Sequence, residues 1–352
     1  MNSVEQVIYY LEELKIPVDS EYSPEDWKDW YHYVLIDPDD RIKLLFNISF
    51  SGRQKLGEIT VTVQMTIQDD LDPTIHRNYG FLEVMPWEEK PSQRLPLELS
   101  IPGILDLELT SKYVNTLVKH SNQNFELKFK GEPQATPILI PELFPYGTGF
   151  IGWGFIPGLL VSGQLSIRDQ VFTISKDWFC YHDHNFGRFR WGDDNVGWVW
   201  LVASLRMDDG KSATFVFHRG NNKDFSKLDS PYLFVYYDDE LLKSFLGQSI
   251  KISFKWTEKP ERLPILPGSM ATVFSHRKVL VPRQIHIKAQ DDVHDVEVIM
   301  DVEGITEIIL PDYQEKQYTF IKEMNGSAKT SCKINQQKNV SGKGSFYAEY
   351  VH

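Results

Sequence analysis

At 352 residues the chain exceeds what one small core supports, and it predicts two domains. A formal net charge of −12 and a pI near 5.3 argue against nucleic acid and against anionic membrane surfaces, which both call for clustered Lys and Arg. With 41% hydrophobic and 24% charged residues the composition is that of a soluble globular protein, while the 13% of aromatic residues suits half-buried pleated surfaces and apolar ligand pockets alike.

The first element, Val4–Lys15 (VEQVIYYLEELK), places apolar residues at 4, 7, 8 and 11, the spacing of one helix face. It contains acidic residues and no apolar run of signal-peptide length, and no stretch of the chain approaches the roughly twenty apolar residues of a membrane helix. The expectation is a cytoplasmic protein without stable membrane insertion. Pro17 ends the helix. Ser23 ahead of Pro24-Glu25-Asp26 has the form of an N-cap, an N1 proline and an acidic first turn, which predicts a short helical turn carrying Trp27 and Trp30.

From about Tyr33 the period changes to two. Segments such as IKLLFNISFSG, GEITVTVQMTIQ, SGQLSIRDQVFTIS and VHDVEVIMDVEG alternate or run apolar over strand lengths, with Gly, Asn, Asp and Pro between them. Many short strands with no helix between them predict an all-β antiparallel sandwich or barrel. Asp-Gly in MDDGKS (Met207–Ser212) predicts a hairpin with a type I′ turn. The polar stretch Gly220–Tyr232 suits a linker, dividing the chain into residues 1–220 and 221–352. A V-S-G followed by an alternating strand closes both parts, at 161–163 and 340–342, as two similar units would. Cys180 and Cys332 are too few for a disulfide scaffold and lie in no C-x-x-C pattern, so two buried thiols are expected.

YGTGFIGWG (Tyr146–Gly154) contains a formal G-x-G-x-x-G. Prolines precede it and Phe155-Ile156-Pro157-Gly158 breaks any following helix, so it predicts an aromatic-lined loop at a barrel mouth rather than a nucleotide site.

The densest polar run is FCYHDHNFGRFRWGDD (Phe179–Asp194). If Cys180–Asn185 is a strand, Tyr181, Asp183 and Asn185 share one face, while His182 and His184 share the other. Histidines at i and i+2 can chelate one metal ion, but a third ligand is required. No carboxylate follows before Asp193, and Arg188 and Arg190 would repel a cation, so no metal is expected and hydrogen-bonded structural histidines are the plainer reading. On the other face, burial among aromatics would raise the pKa of Asp183 and keep a proton available near neutral pH. Such an acid can protonate an alkene or a polarised carbonyl, and aromatic faces stabilise the cation that results. Trp153, Phe155, Trp191, Trp198 and Trp200 are the candidates to supply those faces. The alternative is a carboxylate that only secures the strand end through backbone or Arg188 hydrogen bonds.

YHDHNFG, followed by WGDDNVGWVWLVASLRMDDG, resembles the carotenoid 1,2-hydratase and AttH-like superfamily, whose hallmark is a D-H-N/E-W-G strand end, a W-x-W strand and a D-G hairpin. The V-S-G-x-L strand ahead of it and the closing G-x-G-x-x-Y-x-E pattern (Gly342, Gly344, Tyr347, Glu349) match as well, so the resemblance runs from about Gly152 to the end. Tocopherol cyclases and fungal lipocalin-like Diels–Alderases are similar at a greater distance. The resemblance implies two consecutive lipocalin-like antiparallel β-barrels with a short N-terminal helix, an apolar pocket at or between them, and no cofactor. For the hydratases it implies acid-initiated addition of water to a terminal isoprenoid double bond, with Asp183 as proton donor and Tyr181 at the matching Tyr. Phe186 stands where Trp is usual, and Gly152-Trp153-Gly154-Phe155 keeps the aromatic of the hydratases without their His. Cyclisation or isomerisation of another polyene fits as well.

The expectation is a cofactor-free enzyme acting on a hydrophobic isoprenoid or polyene-like small molecule. Asp183 would be the general acid, positioned by Tyr181 and by His182 or His184, in a pocket shaped by Trp153, Phe155, Asn185, Trp191, Trp198 and Trp200. A pericyclic cyclase that works by folding its substrate and a non-catalytic lipocalin-like carrier would share the pocket without needing an ionisable Asp183. Nothing in the sequence specifies an oligomeric state.

Overall fold

The computed structural model describes residues 3–15, 27–52, 57–72, 74–87, 94–140, 143–147, 149–192, 197–312, 316–334 and 338–352. The Ser23–Asp26 capping sequence and Asp193 lie outside them. Helix α1 (Ser3–Glu12) precedes strands β1 (Trp27–Ile36), β2 (Ile42–Ser51), β3 (Gly57–Gln68), β4 (His76–Trp87), β5 (Leu97–Ile101), β6 (Leu105–Leu109), β7 (Val114–His120) and β8 (Phe125–Pro133). There follow β9 (Ile138–Leu139), β10 (Phe144–Tyr146), β11 (Gly149–Ile156), β12 (Leu159–Ile167), β13 (Gln170–Ile174) and β14 (Phe179–Arg188). The C-terminal part holds β15 (Trp198–Met207), β16 (Ser212–Gly220), β17 (Tyr232–Tyr237), β18 (Glu240–Leu246), β19 (Ile250–Trp256), β20 (Ile265–Leu266) and a short helix α2 (Gly268–Val273). It ends with β21 (Pro282–Gln290) and the long strands β22 (Asp295–Asp312), β23 (Gln317–Ile334) and β24 (Lys338–Val351).

The strands form three sheets. A central sheet has the order β10-β11-β14-β1-β2-β3-β4, with β9 beside β11. A six-stranded sheet, β13-β12-β8-β7-β6-β5, packs with α1 on one face of it, burying Tyr31, Tyr33, Phe46, Leu127, Phe129 and Leu165 with Ile8 and Leu11 of the helix and Leu14 just after it. A ten-stranded sheet, β18-β17-β16-β15-β24-β23-β22-β21-β19 with β20 on β22, packs on the other face, burying Trp153, Phe155, Tyr181, Trp200, Phe234 and Tyr347. This third sheet also curls into a half-barrel around a core of its own that includes Leu201, Phe217, Ile285 and Met300. The pairing is antiparallel between described strands except for β20 with β22.

Burial follows from this layering. Strand β12, in an outer sheet, alternates buried and exposed positions as a one-sided strand must, whereas β1 is buried at all ten positions because its sheet is covered on both faces. Polar side chains help to join the layers. Gln64 of β3 accepts from the Tyr347 hydroxyl and donates to Thr306 Oγ1 at 3.3 Å, and Asn325 Nδ2 donates to Thr66 Oγ1 at 3.0 Å.

The all-β antiparallel architecture with a short N-terminal helix agrees with the sequence reading, and both thiols are free and buried. Local expectations differ in three places. Trp27 and Trp30 lie on β1 rather than on a helical turn, because β1 pairs along its length with β14 and β2 and that tertiary pairing overrides the local helix signal. YGTGFIGWG is not a loop but the β10–β11 hairpin. Its glycines serve close approach, since a Cβ at Gly152 would run into the Phe186 ring that lies across the strand. The Met207–Ser212 hairpin forms, but not with a type I′ turn. Gly210 N bonds Met207 O at 3.0 Å and Gly210 alone has positive φ, so the connection is a three-residue Asp208-Asp209-Gly210 loop. The polar stretch after Gly220 joins β16 to its neighbour β17, and β15 and β16 belong to the same sheet as β24.

Gly152→Ala is expected to destabilise the chain by about 1–3 kcal/mol through overpacking against Phe186. Phe186→Leu in the same background should recover part of that loss in urea unfolding, and a double variant no more stable than Gly152→Ala would contradict the packing account.

Candidate active site

The two faces of β14 do different things. His182 and His184 point toward α1. His182 bonds the His32 carbonyl through Nδ1 at 3.0 Å and the Glu12 carboxylate through Nε2 at 2.9 Å. His184 bonds the Leu11 carbonyl through Nδ1 and Asp29 through Nε2. Their rings stack on Tyr33 and Tyr31 at 4.2 and 4.3 Å. Burial lowers the His182 pKa most of all, but the charge and hydrogen bond of Glu12, the charge of Asp183 and the His32 carbonyl together outweigh it and hold it above the ordinary value. These two histidines clamp the helix to the sheet and face away from Asp183.

The opposite face meets the third sheet. Cross-strand pairing aligns Phe155, Asp183, His32, Asn47 and Thr62 in one row across the central sheet. A matching row on the third sheet runs Tyr232, His218, Trp200, Glu349, Glu323, Thr306. Where the rows meet, His32 Nδ1 is 4.0 Å from Asp183 Oδ1 and 3.5 Å from Glu349 Oε1, and its ring lies 4.8 Å from that of Trp200. Asp183 accepts hydrogen bonds from the Tyr181 hydroxyl at 2.8 Å, Asn185 Nδ2 at 2.7 Å and Trp153 Nε1 at 3.4 Å. Glu349 accepts from Trp198 Nε1 at 2.6 Å.

Electrostatics here are set by burial. Desolvation raises the Asp183 pKa to about 6 despite its three donors, which pull the other way. Desolvation raises Glu349 further, to about 8, and it drives Glu323, paired beside Glu349, well above the ordinary range. His32 is pushed down to about 3 by burial and by the neighbouring His182, so it is neutral at pH 7. The site is thus a cluster of acids around a neutral imidazole, with Glu349 keeping its proton at pH 7 and Asp183 holding one up to about pH 6. Its walls are aromatic, with Trp153–Phe155 ring centroids 5.0 Å apart, Phe155–Tyr181 5.9 Å and Tyr181–Trp200 5.4 Å. Such an arrangement can donate a proton to a substrate and stabilise a cation.

Of the residues expected from the sequence, Asp183, Tyr181, Asn185, Trp153, Phe155 and Trp200 come together. Trp198 holds Glu349, and Trp191 packs one ring further out, 6.1 Å from Trp198. The sequence reading did not single out His32, His218 or Glu323, and it used Glu349 only as part of a closing pattern. His32, His218 and Glu349 each follow an aromatic or apolar neighbour within one strand (WYHYV, VFHR, YAEYV), whereas Glu323 stands beside Lys322 and carries no such signal. Among the described residues no group of three or more His, Cys, Asp or Glu is placed to hold a metal ion, and no helix is long and apolar enough to cross a membrane.

Two β-layers on a shared central sheet give the chain a lipocalin-like fold of the AttH and carotenoid-hydratase type. No protein-family model and no curated protein matches the sequence. Among solved structures, a candidate AttH from Nitrosomonas europaea superposes with a TM-score of 0.56 at 14% identity, covering 95% of this chain and 97% of that one. Kievitone hydratase from Nectria haematococca gives 0.56 at 11% identity, over 96% and 94% of the two chains. CghA with Sch210972 gives 0.59 at 8% identity, over 93% and 88%. At these identities the likeness is one of fold.

The folded chain binds more protons at these carboxyls than the unfolded chain, so their contribution to stability falls as pH rises between 4.5 and about 8 for Glu349. A tenfold change in proton affinity between the two states is worth about 1.4 kcal/mol. Glu349→Gln should therefore be more stable than the unaltered protein at pH 9, by at least about 1 kcal/mol, with the gap closing toward pH 5. Urea unfolding at the two pH values checks this.

Proposed function

We propose that the chain is a cofactor-independent enzyme that acts on a hydrophobic isoprenoid or polyene-like small molecule by general-acid protonation, as a hydratase, cyclase or isomerase. The observation that carries this reading is the pair of protonatable buried carboxyls, Asp183 and Glu349, on either side of His32 beside an aromatic wall. Asp183 lies against that wall and is the proton donor, and Tyr181, Asn185 and Trp153 fix its carboxyl in one orientation. Glu349, which keeps its proton at neutral pH, is the proton reserve of the site. Proton transfer to a double bond breaks the carboxyl O–H and forms a C–H bond, leaving a cation that the faces of Trp153, Phe155 and Trp200 stabilise. Capture of the cation by water gives hydration, capture by a second double bond gives a cyclised cation, and direct loss of a proton from a neighbouring carbon gives isomerisation; in each case the last proton returns to the Asp183 carboxylate and leaves a neutral product. The fold likeness to a protein named as a hydratase supports the class.

The substrate is to be identified first, by mass spectrometry of lipophiles that copurify with the protein. Asp183→Asn is then expected to retain the ligand in native mass spectrometry and to lower turnover by about 10²- to 10⁴-fold. In D₂O the product should carry one solvent deuterium at the protonated carbon, and kcat/KM should fall as pH rises past about 6, where Asp183 loses its proton. A product without deuterium and a flat pH profile would replace the acid step with a pericyclic cyclisation. Ligand retention with no turnover in the unaltered protein would make it a carrier.

A further inference from the structure

A cavity of about 400 Å³ opens between β10, at one edge of the central sheet, and the β16–β17 pair of the third sheet. Its lining includes Phe144, Tyr146, Ile151, His218, Asn221 and Tyr232. This volume lies within the range of small-molecule pockets. The lining is mixed: Phe144 lies edge-on to Tyr232 at 5.5 Å and 6.1 Å from the His218 ring, and Asn221, Asn222 and Ser230 supply polar groups. Beside the buried Asn221, the lining carries the half-buried ring of His218. His218 stands in the same cross-strand row as Trp200 and Glu349, and its ring is 5.2 Å from Trp153, whose indole N–H reaches Asp183. One indole therefore separates the cavity from the acid cluster.

We propose that this cavity docks a flat, aromatic or polyunsaturated ligand by a neutral polar end group, a hydroxyl or carbonyl, that His218 hydrogen-bonds. The inference rests on the acid-enzyme reading and specifies its substrate class: an amphipathic molecule whose polar end sits at His218 and whose apolar body runs past Trp153. Three observations support it. His218 Nδ1 is buried without a hydrogen-bond partner, and among the described residues nothing bonds the ring, so the imidazole retains its capacity for a ligand. Burial, and after it the charge of Arg219, pushes the His218 pKa down to about 4. The ring is then neutral at pH 7 and carries one donor and one acceptor nitrogen, which suits an uncharged hydroxyl or carbonyl. Finally, the charged groups at the mouth, Lys227 and Asp229, are exposed and of opposite sign, so the entrance favours neither anion nor cation.

The test compares 2-naphthol, 2-naphthoate and naphthalene, followed by tryptophan fluorescence at pH 7. The expected result is that 2-naphthol binds at least tenfold more tightly than either of the other two. His218→Phe should remove that preference while keeping naphthalene affinity, and His218→Gln should keep part of it. In the unaltered protein the His218 ring ¹⁵N resonance should move on addition of 2-naphthol and not of naphthalene, a measurement that does not depend on any variant folding. Equal affinity for the three compounds, or an unmoved His218 resonance, would overturn the proposal. Because the readout is binding, Asp183→Asn is expected to bind 2-naphthol as the unaltered protein does. A failure at His218 is thereby separated from a failure of the acid step, which is read by deuterium incorporation.

Discussion

The structure depends on the burial of both faces of the central sheet. A strand covered on one side can send its polar residues to water, but β1 and β14 have almost no such outlet. Every polar side chain on them must find a partner inside the protein or give up its charge. On the face toward α1 the solution is pairing, as His182 and His184 take Glu12, Asp29 and backbone carbonyls of the helix or of β1. On the face toward the third sheet the solution is neutralisation, with His32 deprotonated and Asp183, Glu349 and Glu323 held toward their protonated forms. One strand thus carries a structural clamp on one side and an acid cluster on the other.

The chemistry of the cluster is a consequence of register. None of its members depends on a long loop. Asp183 and His32 are directly paired on β14 and β1, and Trp200, Glu349 and Glu323 are directly paired on β15, β24 and β23. A slip of one residue in any of these ladders would send that side chain to the opposite face. The polar contacts of Gln64, Thr66 and Asn325 with the other sheet hold the two rows opposite one another.

Much of this was legible in the sequence, and the limit has a physical origin. Period-two alternation located most strands and divided Phe179–Arg188 into a Tyr181/Asp183/Asn185 face and a His182/His184 face, because the pleat fixes that division locally. The pattern around Ser23 pointed to a helical turn at Trp27 because a local signal carries no information about the two strands that flank β1. His32, Glu349, Glu323 and His218 were overlooked for a related reason. Their burial comes from one sheet lying on another, and a glutamate in an aromatic strand looks like any outward-facing residue until the covering layer is known. Gly152 of YGTGFIGWG belongs with them, since the ring that needs its missing side chain is Phe186, more than thirty positions away in the chain.

The division of labour between sheet centre and sheet margin has a bearing on how such proteins diversify. The acids occupy central strands with neighbours on both sides, where most substitutions disturb two ladders at once. The cavity wall draws on β10, which has one hydrogen-bonded neighbour, as well as on β16 and β17, which have two. A change on β10 therefore disturbs one ladder where a change at the acids disturbs two, so the cavity wall can be reshaped from that edge with the pairing of the acid cluster left intact.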